Sequence, residues 1–233
     1  VVTATGNKDI ITEEHFKKAG ALMLARLHKH PHLSIAVDLE GDRLGEWGKT
    51  CYVQASVDAV EPGEVQLTYV FDTLALHQCF RGPSDLREIL EDANISKVFH
   101  CCYGDASALY HEFSITLRGV FDTSIADCLA LSRHPGKPRG LGTVIKEWLG
   151  EENVKLNQKG KVAHVPGLWL IRPLTWRLFE YAYEDVAYCN VLYAAQRAQL
   201  ERLGVVQLAF ALSLQRAPPR ALPSRFSQQR APD

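Results

Sequence analysis

Apolar residues recur along this chain with two different periods, and the switch between them separates helices from strands. Phe16, Ala19, Leu22, Met23 and Leu27 share one helical face. Thr12-Glu13-Glu14 opens that helix with a capping hydroxyl and two acids in the first turn, and Pro31 stops it. His28, His30 and His32 alternate near its end, a spacing that suits a cationic helix terminus better than a metal set. The apolar run from Ser34 to Asp38 then predicts a buried strand. Cys51 to Val57 predicts a second and Val65 to Phe71 a third, with Glu61-Pro62-Gly63-Glu64 as the turn between those two. Short turns make the three an antiparallel meander.

Beyond the meander the order changes. Asp72-Thr73 can cap a short helical turn, and Ser84 to Leu90 predicts a capped amphipathic helix. Lys97 to His100 and Val120 to Asp122 predict short strands, each followed by a helix, over Gly104 to Phe113 and Thr123 to Leu131. Leu141, Val144, Ile145, Trp148 and Leu149 mark another helix behind the loop from His134 to Gly140. One long helix is predicted from Thr175 to about Leu203, opened by Arg172-Pro173-Leu174. A meander followed by strand–helix units defines an α/β fold with a mixed sheet and helices on its faces.

Composition narrows this further. The 233 residues, 46% hydrophobic and 23% charged, suit one globular domain with a sizeable core. The domain is expected over 12–206, after an extension over 1–11 and before a Pro/Arg-rich disordered tail or linker over 207–233. The stretch from Gln215 to Asp233 holds four Pro and four Arg. A net charge of −1, from 26 basic and 27 acidic residues, argues against a strong nonspecific nucleic-acid binder. It leaves room for an enzyme that grips one strand end. The six cysteines show no CxxC spacing and read as buried free thiols, so a reducing intracellular compartment, cytoplasmic or nuclear, is expected. No apolar run reaches membrane-span length and no signal-peptide pattern opens the chain, so no membrane partner is expected. The chain opens on Val1 rather than Met and is read as a piece of a longer protein, with flanking regions free to bind protein partners.

The candidate chemistry begins where the first strand ends. Asp38 and Glu40 are two apart, so both project from one face of that strand. Adjacent carboxylates repel unless cations neutralise them, and Mg²⁺ favours a few oxygen ligands from protein. Alone, the pair fits a polar strand exit equally well. Asp105 falls near the start of the helix after strand Lys97–His100 and alone would only favour the helix dipole. Tyr181 and Asp185, four apart in Tyr181-Ala182-Tyr183-Glu184-Asp185, share a helical face. Together, four carboxylates and a phenol from separate segments can hold two Mg²⁺ or Mn²⁺ ions roughly 3.5–4 Å apart, the spacing that suits phosphodiester cleavage. Tyr181 would orient the attacking water; a phenol is a poor general base at neutral pH. Asp122 is expected to cap the following helix and to brace the site. Lys155, Lys159 and Lys161 form a candidate phosphate-contacting loop, and Arg172 would brace the long helix or touch substrate.

Asp38-Leu39-Glu40, the Asp105 segment and Tyr181-Ala182-Tyr183-Glu184-Asp185 match the three motifs of the DEDD superfamily of 3′–5′ exonucleases, which the chain resembles over about residues 12–206. Trp169-Leu170-Ile171-Arg172-Pro173-Leu174-Thr175 is similar to the lead-in of ribonuclease D-like members. Val37 to Gly41, and Lys97 to His100 with Gly104-Asp105, are most similar to the subgroup typified by Egalitarian and exonuclease 3′–5′ domain-containing protein 1. Tyr181 stands four before Asp185, and Glu180 occupies the position of the histidine-type variant, so the resemblance is to the tyrosine type. It implies an RNase H-like fold with a mixed five-stranded sheet. It also implies two-metal hydrolysis from a single-stranded 3′ end, RNA preferred, releasing nucleoside 5′-monophosphates. The metal ligands would be Asp38, Glu40, Asp105 and Asp185. Two alternatives accompany it: a catalytically weak exonuclease-fold module that binds RNA or protein partners, and a DNA 3′–5′ exonuclease domain. Cys101 stands where relatives often carry an acid or amide.

Overall fold

The computed structural model describes residues 9–134, 137–152 and 165–217. Six strands form one mixed sheet in the order β1-β4-β3-β2-β5-β6. The meander is β2 (Ser34–Asp42), β3 (Lys49–Val57) and β4 (Leu67–Asp72), paired antiparallel. The strands β5 (Ser96–Phe99) and β6 (Val120–Asp122) add in parallel beyond β2. These are the five strands that the periodicity predicts. The sixth is a two-residue edge, β1 (Asp9–Ile10), parallel to β4. It draws the end of the expected 1–11 extension into the sheet.

Alternation along β2 decides which face receives the site. Ile35, Val37 and Leu39 point into a core shared with helix α1 (Glu13–Lys29), α3 (Asp85–Glu91) and α4 (Tyr103–Phe113), with the short α2 (His77–Arg81) at its edge. Ala36 points the other way, into a second core with α5 (Thr123–Ala130) and α6 (Leu141–Leu149). Side chains two apart share a face, so Asp38 and Glu40 follow Ala36. The expected caps are present: Thr12 Oγ1 accepts from His15 N, and Ser84 Oγ from Arg87 N. Asp72 accepts from the backbone of Leu74 and Ala75, closing the turn after β4.

Two expectations are corrected here. The predicted single helix from Thr175 to Leu203 is two, α7 (Trp176–Ala187) and α8 (Cys189–Arg202), broken at Tyr188. The first half lies across β2, β3 and β4, whereas the second packs on β5, α5 and α6, and one straight rod cannot follow both. The Cys189 thiol donates to the Asp185 carbonyl at the break. The predicted tail starting at 207 begins instead as a helix, α9 (Val206–Arg216), which buries Ala209 and Ser213 against β6 and α5. Its apolar residues, Leu208 to Leu212, precede the Pro-rich stretch, whose composition had spread the tail too far back. Residues 218–233 lie outside the described residues. Among the described residues, no helix is long and apolar enough to cross a membrane.

Candidate active site

The carboxylates meet at the rim where β2, β5 and β6 all end, the edge at which open α/β sheets present their ligands. Oxygens of Asp38, Glu40 and Asp185 lie within 4.8 Å of one another, the first two half-buried and the third buried. Strand β2 supplies one side of this cluster and α7 the other. Asp185 follows from the amphipathic stripe of α7, on which Ala182 and Val186 are fully buried against the sheet. Glu40 is aimed by a bulge at Glu40/Gly41 in the β2–β3 ladder. A Cβ at Gly41 would collide with the Lys49 carbonyl oxygen, so glycine is required where the strands cross so closely.

Asp105 sits buried in the first turn of α4, on the same rim but outside the group within 4.8 Å. What holds that turn is Asp122. Its buried carboxylate accepts from Cys101 N at 2.9 Å and Cys102 N at 3.1 Å, while capping α5 through Ser124 N at 2.9 Å. Cys101 takes a φ of 64°, so the chain between β5 and α4 turns sharply under this anchor. Asp122 thus caps α5 as expected and also ties down the turn that precedes Asp105. His100 is bonded at both ring nitrogens, to Thr123 Oγ1 and to the Arg139 carbonyl, each at 2.8 Å. Burial pushes the Cys101 and Cys102 thiols up, which keeps them protonated and poor ligands.

Tyr181 is buried one turn before Asp185 and is positioned through aromatic contacts. Its ring packs at 6.1 Å on Trp169, in a short 3₁₀ turn (Leu168–Leu170), and Trp169 packs edge-on at 6.1 Å against Tyr52. The Arg172 guanidinium lies 4.2 Å over the Tyr52 ring. Arg172 grips Asp72 with two nitrogens and donates to the carbonyls of Trp169 and Cys51. These partners tie Arg172 to β4, β3 and the 3₁₀ turn. Lys155, Lys159 and Lys161 lie outside the described residues. The sequence marks Asp72 only as a cap for the turn after β4, and it does not mark Tyr52. Tyr52 faces Glu40 in the ladder, a pairing that becomes visible only once hairpin length and bulge fix the register.

The donor set suits a hard divalent cation. Three clustered carboxylates offer only oxygen, the ligand type that Mg²⁺ and Mn²⁺ favour, and bring a charge that needs neutralising. Asp38, Glu40 and Asp185 are the residues that would hold it.

A mixed sheet of this order, with helices on both faces and a carboxylate cluster at one rim, defines an α/β domain with a candidate metal site. The model of the 3′-5′ exonuclease family matches residues 12–201, and the chain belongs to that family. It is 31% identical over 174 residues to the piRNA biogenesis protein EXD1 of Mus musculus, covering 70% of this chain and 28% of that protein. It is 29% identical over 195 residues to ribonuclease D of Sphingobium indicum, covering 80% of this chain and 43% of the relative. The chain therefore spans less than half the length of these two relatives. Among solved structures, the catalytic core of RRP6 from Trypanosoma brucei (mutant C496S) superposes with a TM-score of 0.68 at 25% identity, over 89% of this chain and 51% of that one.

Proposed function

We propose that the domain is a divalent-metal-dependent 3′–5′ exonuclease acting on single-stranded RNA. The observation that carries this reading is the convergence of Asp38, Glu40 and Asp185 oxygens within 4.8 Å, from a strand and a helix far apart in sequence. Bound Mg²⁺ or Mn²⁺, two ions in this reading, would supply Lewis acidity for attack on phosphorus and would neutralise charge on the leaving oxygen. Asp38, Glu40 and Asp185 hold the cation side of the site, with Asp105 contributing from the first turn of α4. Tyr181 accepts or donates one hydrogen bond to the attacking water and fixes its line of approach. The water oxygen forms the new bond to phosphorus and gives up a proton to solvent. The bond from phosphorus to the 3′ oxygen of the penultimate nucleotide breaks, and that oxygen leaves with the electron pair and takes a proton from solvent. The released nucleotide keeps its 5′-phosphate.

RNA is assigned from the relatives, one of which is a ribonuclease by name. Digestion of matched 5′-labelled RNA and DNA oligonucleotides, with Mg²⁺ or Mn²⁺ and with EDTA, tests the reading. A ladder that shortens from the 3′ end, faster on RNA and absent in EDTA, is expected. Faster digestion of DNA would reassign the substrate. Intact oligonucleotide from folded protein under every metal condition would overturn the activity and leave a nucleic-acid or partner-binding module.

A further inference from the structure

The hairpin between β2 and β3 carries a side chain for which the fold has no use. Trp47 is 84% exposed, and among the described residues no other large apolar side chain exceeds 57%. An indole held out in water at the tip of a well-held loop keeps its ring faces open to a stacking partner. The loop is well held. A Cβ at Gly48 would collide with the Arg43 carbonyl, and Arg43 and Gly45 take φ of 52° and 133°, so the turn closes tightly on itself. Glu112 of α4 clamps its base, accepting from Lys49 Nζ at 2.5 Å and Thr50 N at 2.8 Å. Asp42 accepts from Gly167 N on the other side.

The loop also lies against the site. Its Asp42 is two residues after Glu40, and Gly45 faces Ser107, two residues beyond Asp105 on α4. On the same loop, four residues before Trp47, the Arg43 side chain is 86% exposed, and its 3.4 Å contact with Asp42 is a surface pair. An exposed ring and an exposed guanidinium on one loop are a combination that grips single strands: one base face stacked, one phosphate paired.

We propose that Trp47 is the stacking platform for a base near the 3′ end of the bound strand, with Arg43 on the adjoining phosphate, so that this hairpin feeds the strand to the carboxylates. The proposal rests on the exonuclease reading and adds a positioning residue to it. Trp176, the next most exposed tryptophan, already stacks at 5.8 Å on Phe179 and serves as the control.

The test compares wild type, Trp47→Ala, Trp47→Phe and Trp176→Ala on a 5′-fluorescein RNA decamer, and on the same decamer with abasic sites at its last two positions. Anisotropy in EDTA gives Kd, and initial rates with Mg²⁺ give KM and kcat. Trp47→Ala is expected to raise Kd and KM about ten-fold with kcat within about two-fold, a loss in the range for one base–aromatic stack. Trp47→Phe should stay within about three-fold of wild type and Trp176→Ala should match it. The Trp47→Ala effect should vanish on the abasic strand. Wild-type Kd and KM in Trp47→Ala, while the wild-type enzyme digests RNA, would overturn the platform and leave the exonuclease standing. A wild-type protein that neither binds nor digests the decamer would overturn both.

Discussion

Two buried charged side chains show how unequal demands shape single residues here. Asp122 is fully buried but meets three backbone N–H groups, so its charge is solvated by the fold it organises. Lys97 is equally buried, and among its bonds is one from Nζ to the Asp92 carbonyl. Burial pushes its pKa down to about 7, with Asp92 opposing the shift and Arg118 adding to it. An unfolded lysine titrates near ~10.4, so between about pH 7 and pH 10 the unfolded chain binds the extra proton and stability rises with pH. Below pH 7 both states are protonated and the full penalty of a buried charge remains. Lys97→Met removes that dependence. In urea unfolding, wild type is expected to gain stability relative to Lys97→Met as pH rises from 7 to 10. A difference that stays constant over this range would contradict the assignment.

At the level of elements, catalytic geometry depends on contacts across strands and turns. The chain from Asp72 through Arg172, Tyr52 and Trp169 to Tyr181 joins β4, β3, the 3₁₀ turn and α7. Arg172→Ala leaves Asp72, only 5% exposed, without its guanidinium partner. A loss of ~2–4 kcal/mol in stability is expected, together with a fall in kcat larger than any rise in KM, because Tyr181 loses its backing. Chemical denaturation and steady-state kinetics check both; unchanged kcat would detach this chain of contacts from the chemistry. Spacing singles out Asp38 and Glu40, two apart on a strand, and Asp185, four after Tyr181 on a helix. Each alone fits a structural role, and only the ordered set points to one site; Asp105, expected with them, lies outside the group within 4.8 Å. The brace was not legible in the sequence, because Tyr52 and Asp72 reach Arg172 only through sheet register. The break at Tyr188 left no Gly or Pro to mark it, since it answers to the two surfaces that α7 and α8 cover.

For the molecule as a whole, both chain ends of the described fold are tied to the sheet. β1 extends one edge, and α9 covers the other. There Asp122 N donates to Ser213 Oγ at 2.9 Å, and Arg216 approaches the Asp122 carboxylate at 3.8 Å and bonds Ser124 Oγ. The helix is therefore connected to the residue that anchors the turn before Asp105. A chain ending at Val205 would uncover β6 and remove these partners. Its melting temperature is expected to fall by at least about 6 °C, from the loss of roughly 3 kcal/mol of apolar burial and hydrogen bonding. Unaltered melting would return the domain boundary to 206.

In the proposed chemistry, hydrolysis depends on a metal that Asp38, Glu40 and Asp185 would hold. Single-turnover cleavage of a 5′-labelled RNA across a Mn²⁺ titration, for wild type beside Asp38→Ala, tests it most directly. In wild type the rate is expected to saturate with Mn²⁺. In Asp38→Ala that rate is expected to fall by roughly 10³-fold or more, with melting temperature and circular dichroism preserved. A near-native rate in Asp38→Ala would contradict this dependence, and so would a wild-type rate that ignores Mn²⁺.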